Sequence, residues 1–104
     1  MSNTRSEYEG DVVADDDTST KKPNPCNVIL HNDDFTPMDF VVEILEQVFH
    51  HTSVKAVELM QEVHNKGRAI AGTYSFEIAE TKVAETTSLA RQNGYPLRCS
   101  IEHT

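Results

Sequence analysis

The sequence predicts one small α+β domain in which a three-stranded antiparallel sheet packs against three helices, in the order β-α-α-β-α-β. Two observations support this prediction. Apolar residues recur with helical spacing in three segments, and short apolar or alternating runs typical of strands come before, between and after them. Turn and cap residues separate the six segments. With 104 residues the chain has room for one domain, in which helices cover one face of a small sheet.

Three short segments have the composition of strands. Residues 26–31 are apolar and β-branched, and Pro25 and an Asn-Asp-Asp turn bound them. Residues 68–74 are a weaker candidate, because Ala and Gly are poor strand formers. From Leu97 to Glu102 apolar and polar side chains alternate, which indicates a strand with one buried face.

The first helix is predicted from its apolar stripe over residues 40–48 and from the residues before it. Thr36 is the predicted N-cap, and Pro37 then falls at the first helical position, where its missing N–H costs nothing. Phe35 and Phe40 have the spacing of a hydrophobic staple. Asp34 and Pro37 are therefore assigned to capping the helix and supporting the loop.

The other two helices have clear ends. The second begins at Ser53 and ends at Gly67, a natural C-terminal cap residue. The third is capped by Ser75 and stops at Asn93–Gly94. Its exposed face is charged.

Composition narrows the classes of partner. The formal net charge of −8 argues against a nucleic-acid or anionic-membrane partner. No apolar run approaches the ~20 residues of a membrane span, and no secretory signal is visible, so we expect a cytoplasmic protein. The two cysteines lack the spacing of a zinc site, which favours reduced thiols.

The first 25 residues differ from the rest. They hold six acidic and three basic residues and almost no apolar ones, so we expect a disordered acidic N-terminal extension ahead of a core domain at 26–104. A solvated leader is the simpler interpretation. The alternative is a tether that docks on a partner.

Polar residues gather at the junction between the first strand and the first helix. Asn32, Asp33 and Asp34 lie there, and His64 is on the second predicted helix. Their amide, carboxylate and imidazole acceptors suit a cationic group, because charge-assisted hydrogen bonds are strong. Four apolar residues on the two helices suit a bulky side chain beside it: Met38, Val41, Met60 and Val63. A cation next to a large apolar group describes the N-terminal residue of a peptide.

Two other hypotheses stay open at this point. Asp33, Asp34 and His64 could serve a small metal-dependent or acid–base hydrolase, although no catalytic motif or metal-ligand spacing is present and we expect no metal or cofactor. Alternatively, the charged third helix could be the whole functional surface of a generic interaction domain.

Several motifs in the same order resemble the ClpS adaptor family. They are Val28-Ile29-Leu30, then Asn32 to Val41; Val63-His64 with Gly67, Ala69 and Gly72; Glu77-x-Ala79-Glu80-x-Lys82; and Pro96-Leu97-x-Cys99. The resemblance runs from about residue 26 to the C-terminus. Minor departures are Phe35 where Tyr is common, Asp39 where Glu is common and Ala71 where Cys is frequent.

The resemblance implies an adaptor that is not an enzyme. Such proteins bind substrates with an N-terminal Phe, Tyr, Trp or Leu and deliver them to the ClpA unfoldase of the ClpAP protease, contacting its N-terminal domain. Carried over by position, Asn32, Asp33 and His64 hold the substrate α-amine. The side-chain pocket and its gate are Thr36, Met38, Val41, Met60, Val63 and Leu97, and the unfoldase-binding surface includes Glu77 and Lys82.

Overall fold

A computed structural model describes residues 24–104. The N-terminal extension expected at residues 1–25 lies outside this range except for its last two residues. The described elements are β1 (Cys26–His31), α1 (Met38–Gln47), α2 (Ser53–Lys66), β2 (Arg68–Tyr74), α3 (Phe76–Gln92) and β3 (Arg98–His103). The order is β-α-α-β-α-β, so the predicted α+β class is confirmed. Within residues 24–104 no helix is long and apolar enough to cross a membrane.

The sheet has the order β2-β1-β3, with β1 at the centre and antiparallel to both neighbours. At one end of β1, Cys26 pairs with Tyr74 and His103; at the other, His31 pairs with Arg68 and Arg98. Arg68 is the first residue after the turn that ends α2. The pairing therefore holds the C-terminal end of β1 beside the C-terminal end of α2.

The core lies between the sheet and the helices. Cys26, Val28 and Leu30 of β1 are fully buried on the face that the helices cover. Helix α3 packs across all three strands, and α2 packs on α1 and on β2. The buried residues of α3 include Ala79 and Ala90, whose small side chains let the helix lie close to the sheet. Large side chains, among them Ile44 and Leu45, come from α1.

The start of α1 differs from the prediction. The N-cap is Pro37, and the helix begins at Met38, two residues before the predicted apolar stripe. The Pro37 carbonyl accepts hydrogen bonds from the amides of Phe40 at 3.1 Å and Val41 at 3.2 Å, and no side chain of the described residues caps the helix. Thr36 is not the N-cap, because its hydroxyl donates backwards to Asp33 instead.

The predicted hydrophobic staple is also wrong. Phe35 is 78% exposed, whereas Phe40 is buried and packs edge-on against Tyr95, with 4.8 Å between ring centroids. The reason is local: the amides of Phe35 and Thr36 both donate to the Asp33 carboxylate, and this tight turn leaves the Phe35 side chain in solvent.

Gly67 ends α2 as predicted. It adopts the left-handed conformation, with φ of 88°, and its amide donates to the Val63 carbonyl at 2.9 Å. Its own carbonyl accepts from the Asn32 amide at 2.9 Å. One residue therefore ends a helix and fastens the loop that follows β1.

Replacing either left-handed glycine by alanine should destabilise the fold through the backbone alone. A Cβ atom at Gly67 or Gly94 would meet no heavy atom within 4 Å, and φ is 88° and 78°. We expect Gly67→Ala and Gly94→Ala each to lower the free energy of unfolding by about 1–2 kcal/mol, measured by urea denaturation. Asn65→Ala, in the regular part of α2, is the control and should cost nothing. Equal stability of all three variants would contradict the expectation.

Candidate functional site

A cleft of about 310 Å³ lies where β1 ends, α1 begins and α2 ends. It gathers the three residues predicted to hold an amine together with both residues assigned to the loop and two of the six assigned to the side-chain pocket. The lining residues are Asn32, Asp33, Asp34, Thr36, Pro37, Met38 and His64. Residues 32 and 64 are far apart in sequence and share the cleft because β1 pairs with β2.

Backbone contacts set the positions of Asn32 and His64. The hydrogen bond from the Asn32 amide to the Gly67 carbonyl joins the loop to the end of α2. His64 lies on the last turn of that helix, three residues before Gly67. Both side chains are exposed, so an amide oxygen and an imidazole nitrogen are within reach of a ligand. Both belong to backbone that the sheet and the helix cap hold in place.

The carboxylate of Asp33 holds the loop itself. Its Oδ1 accepts from the amides of Phe35 at 2.8 Å and Thr36 at 2.7 Å. Its Oδ2 accepts from the Thr36 hydroxyl at 2.8 Å. Three donors on two neighbouring residues thus converge on one half-buried side chain. The spacing Asp-x-x-Thr is the sequence signal for this turn, and it competes with the predicted role of Thr36 as the helix N-cap.

These contacts change the acidity of Asp33. Partial burial raises the pKa of the carboxyl, but the Phe35 amide, the Thr36 hydroxyl and amide, and the charge of Arg91 together lower the pKa below its ordinary value. The group is therefore a carboxylate at neutral pH. Because the folded-state pKa is lowered, the stabilisation is present above the unfolded-state pKa and is lost as the pH falls through the folded-state pKa.

Asp34, which is assigned to loop support, follows Asp33 in this turn. Its side chain is exposed and lines the cleft, while the hydrogen bonds that shape the loop converge on Asp33. An Asp side chain commonly accepts hydrogen bonds from the amides two and three residues ahead of it. For Asp33 these are the amides of Phe35 and Thr36. Pro37 does serve the helix, through the carbonyl of its N-cap position.

The residues assigned to the side-chain pocket fall into two groups. Met38, which is 50% exposed, and the half-buried Thr36 line the cleft. The other four belong to the hydrophobic core or pack against it: Val41, Val63 and Leu97 are buried, and Met60 is half-buried. Helix spacing places Val41 one turn after Met38, and Met60 one turn before His64. These core residues therefore lie along the same helix faces as residues that line the cleft.

The residues assigned to the unfoldase-binding surface also differ from each other. Glu77 is exposed in the first turn of α3. Lys82 is half-buried: its Nζ donates to the Val48 carbonyl at 2.7 Å and lies 5.7 Å from the centroid of the Tyr74 ring. Val48 is the C-cap of α1, so Lys82 satisfies the end of another helix. Sequence reasoning could not find this contact, which spans 34 residues.

A hydrolase hypothesis needs a different arrangement. In the part of the chain from residue 24 onward, no group of three or more His, Cys, Asp or Glu side chains is placed to hold a metal ion. Asp33 is ionised, with its pKa lowered rather than raised, and three of its acceptor positions are occupied by the loop. This chemistry suits the binding of a cation.

Comparison with known proteins identifies the family. The family model described as "ATP-dependent Clp protease adaptor protein ClpS" matches residues 21–100. The chain belongs to the ClpS family. A ClpS adapter protein from Vibrio atlanticus is 53% identical over 92 residues, which cover 88% of this chain and 87% of that protein. One from Desulfotalea psychrophila is 48% identical over 99 residues, or 95% and 97% of the two chains.

A solved ClpS structure has the same fold. Agrobacterium tumefaciens ClpS2, determined bound to L-phenylalaninamide, superposes with a TM-score of 0.77 at 35% identity, covering 80% of this chain and all of that one. ClpS proteins are protease adaptors and not enzymes, so the hydrolase hypothesis is rejected.

The contacts of Lys82 generate a prediction about stability. Lys82→Met keeps most of the aliphatic stem but removes the hydrogen bond to the α1 C-cap, so we expect the free energy of unfolding to fall by about 1 kcal/mol. Lys55→Met is the matched control, because among residues 24–104 the Lys55 amine makes only an exposed ion pair with Glu58, at 3.8 Å. Loss of that ion pair should cost under ~0.5 kcal/mol. Chemical denaturation of both variants measures the difference. Equal losses would show that the cap contributes nothing.

Proposed function

We propose that this ClpS chain recognises proteins by their N-terminal residue, binding the free α-amine and the bulky side chain of Phe, Tyr, Trp or Leu, and delivers them to the ClpAP protease. The observation that carries the proposal is the single cleft that gathers Asn32, Asp33 and His64. The ligand of the A. tumefaciens relative supports it, because L-phenylalaninamide has a free α-amine and a benzyl side chain, as an N-terminal Phe has.

The three polar side chains match a primary ammonium group. A free α-amine has a pKa of about 7.7–8.0, so at neutral pH it is mostly protonated and presents three N–H donors. Asp33 offers a carboxylate oxygen, Asn32 an amide oxygen and His64 an imidazole nitrogen. Because Asp33 is charged, its hydrogen bond to the ammonium is of the strong, charge-assisted kind. An internal residue of a protein has no such group and gains none of these contacts.

The apolar half of the ligand supplies further free energy. Burying an aromatic side chain removes ~150–250 Å² from water, or on the order of 4–6 kcal/mol before ordering costs. Met38 is half exposed in the cleft, whereas Val41 and Val63 are buried. We propose that Met38 moves aside to admit the side chain, since methionine is unbranched and adapts to several shapes. Binding then requires both the amine and the bulky group.

Delivery requires a second surface. We place it at the exposed first turn of α3, around Glu77, as the contact for the ClpA N-terminal domain, with the acidic N-terminal extension contributing to transfer. Lys82 belongs to this surface only through its exposed portion, because its amine is bound to Val48. An adaptor for ClpAP acts in the cytoplasm, which is the location that the sequence leads us to expect.

Peptides that differ only in the terminal nitrogen test the recognition site. A Phe-initiated fluorescent peptide should bind with micromolar or tighter affinity, and its acetylated form should not bind, because the charge and two N–H groups are lost. The N-methyl form keeps the charge and loses one N–H, so we expect it to bind roughly tenfold more weakly than the free amine. Fluorescence anisotropy measures all three.

A matched protein variant completes that experiment. His64→Ala removes one acceptor from an exposed position and should weaken binding of the free amine while leaving thermal stability unchanged. Equal binding of free and acetylated peptides would reject N-terminal recognition and would move the function to the charged surface of α3.

The gate role of Met38 makes a separate prediction. Met38→Ala should increase binding of peptides that begin with Val or Ile, because removing the side chain relieves crowding against a branched Cβ atom. Met38→Leu, which keeps the bulk, is the control and should retain the discrimination against branched residues. A panel of peptides with different first residues measures the change. An unaltered ranking in Met38→Ala would exclude Met38 as the gate.

Delivery is tested separately from binding. Removing residues 1–23 keeps Pro25, whose carbonyl accepts from the backbone and hydroxyl of Thr104, so the core should bind peptide as the full chain does. We expect this variant to slow degradation of a Phe-initiated reporter by ClpAP severalfold. Glu77→Lys should do the same without changing peptide affinity. If the variant that lacks residues 1–23 supports degradation at the normal rate, the extension has no part in transfer.

A further inference from the structure

Thr36 faces the cleft, but its polar atoms are committed to Asp33. The hydroxyl donates to Oδ2 at 2.8 Å and the amide to Oδ1 at 2.7 Å. We infer that Thr36 is a positioning residue for Asp33 rather than a wall of the side-chain pocket: its hydroxyl fixes the carboxylate so that one acceptor site on Oδ2 is left for the ligand ammonium. The inference rests on the proposed function and adds a residue role to that same site.

Counting acceptor sites gives the first step. A carboxylate has about four lone-pair positions, two on each oxygen. Oδ1 receives two amide donors and Oδ2 receives the Thr36 hydroxyl, which leaves a single position on Oδ2. Asp33 can therefore accept one N–H from a ligand and cannot bind an ammonium through both oxygens. The other two N–H groups must go to Asn32 and His64, which share the cleft.

Side-chain torsion gives the second step. Rotation of a carboxylate about the Cβ–Cγ bond is broad and weakly restrained by sterics, so hydrogen bonds decide its orientation. The two oxygens turn together about this bond, so the donors to Oδ1 and the donor to Oδ2 restrain one torsion angle. Among the described residues, the Thr36 hydroxyl is the donor that holds the Oδ2 side of the carboxylate. Without that hydroxyl the torsion is held from the Oδ1 side alone, and binding must include the cost of restoring the orientation.

The pKa of Asp33 is a readout that a change in side-chain packing alone would not shift. The charged and titratable groups around it are Arg91 on α3, His64 on α2 and its neighbour Asp34 in the loop. The Thr36 hydroxyl is one of the contacts that lower the Asp33 pKa. Removing the hydroxyl therefore raises the pKa of Asp33. The carboxylate is then protonated, and the ammonium released, at a higher pH. His64 and Arg91 are unchanged by the substitution.

Three variants separate the hydroxyl from the methyl group. Thr36→Val keeps the shape and loses the hydroxyl, Thr36→Ser keeps the hydroxyl and loses the methyl, and Thr36→Ala loses both and serves if the valine variant fails to fold. Two measurements are made on each: affinity for a Phe-initiated peptide from about pH 3 to about pH 7, and the NMR titration of the Asp33 carboxyl carbon in the ligand-free protein. The second measurement does not depend on any ligand.

We expect Thr36→Val to bind the peptide roughly tenfold more weakly, with the acid limb of binding and the Asp33 titration both shifted to higher pH. Thr36→Ser should match the wild-type protein in both. An unchanged Asp33 titration in Thr36→Val would overturn the inference, as would a serine variant that behaves like valine. If the wild-type protein does not distinguish free from acetylated peptide, the proposed function fails, while the ligand-free titration still decides whether Thr36 positions Asp33.

Discussion

The antiparallel pairing of β1 with β2 is the constraint on which the cleft depends. It places the residue that follows β1 beside the residue that ends α2, and the Asn32 amide then bonds the Gly67 carbonyl. A shift of one residue in the register would move His64 away from Asn32 and turn the buried side chains of β1 to the outer face. The positions of the polar groups in the cleft are thus fixed by the same hydrogen bonds that build the sheet.

Asp33 serves the fold and the proposed binding site at once. Three of its acceptor positions shape the loop, and the fourth is available to a ligand. This double use means that loss of the carboxylate affects both loop geometry and ligand contact, so an alanine at this position cannot separate them. Substitutions at neighbouring residues, which alter one role at a time, are more informative about how the site works.

Much of the fold follows from the sequence because its signals are local. The strands at 26–31 and 68–74, the cap at Gly67 and the end of α3 at Asn93 depend on residues within one or two turns of chain, and each was predicted. The start of α1 was not, because the Thr36 hydroxyl donates to the Asp33 carboxylate instead of accepting from an early helix amide.

In the candidate site, too, features with a local sequence signal were predicted and the others were not. Asn32 and Asp33 lie together at a predicted junction, whereas the role of His64 was implied by the family resemblance, and the structure places all three in one cleft. Apolar periodicity cannot tell a pocket wall from the core, and Val41, Val63 and Leu97 are buried in the core of the fold. The partner of Lys82 lies on another helix, 34 residues away, and no local pattern encodes such a contact.

The two ends of the described domain meet at one corner. Pro25 accepts hydrogen bonds from the amide and the hydroxyl of Thr104, at 3.3 and 3.0 Å, next to the Cys26 end of β1. The cleft is at the opposite end of that strand, on the order of 17 Å away for five residue steps. A short linker could therefore join residues 25 and 104, and the chain could be opened elsewhere. Alternatively, either of these residues could be attached to a solid support. In both cases the cleft would stay open to solvent.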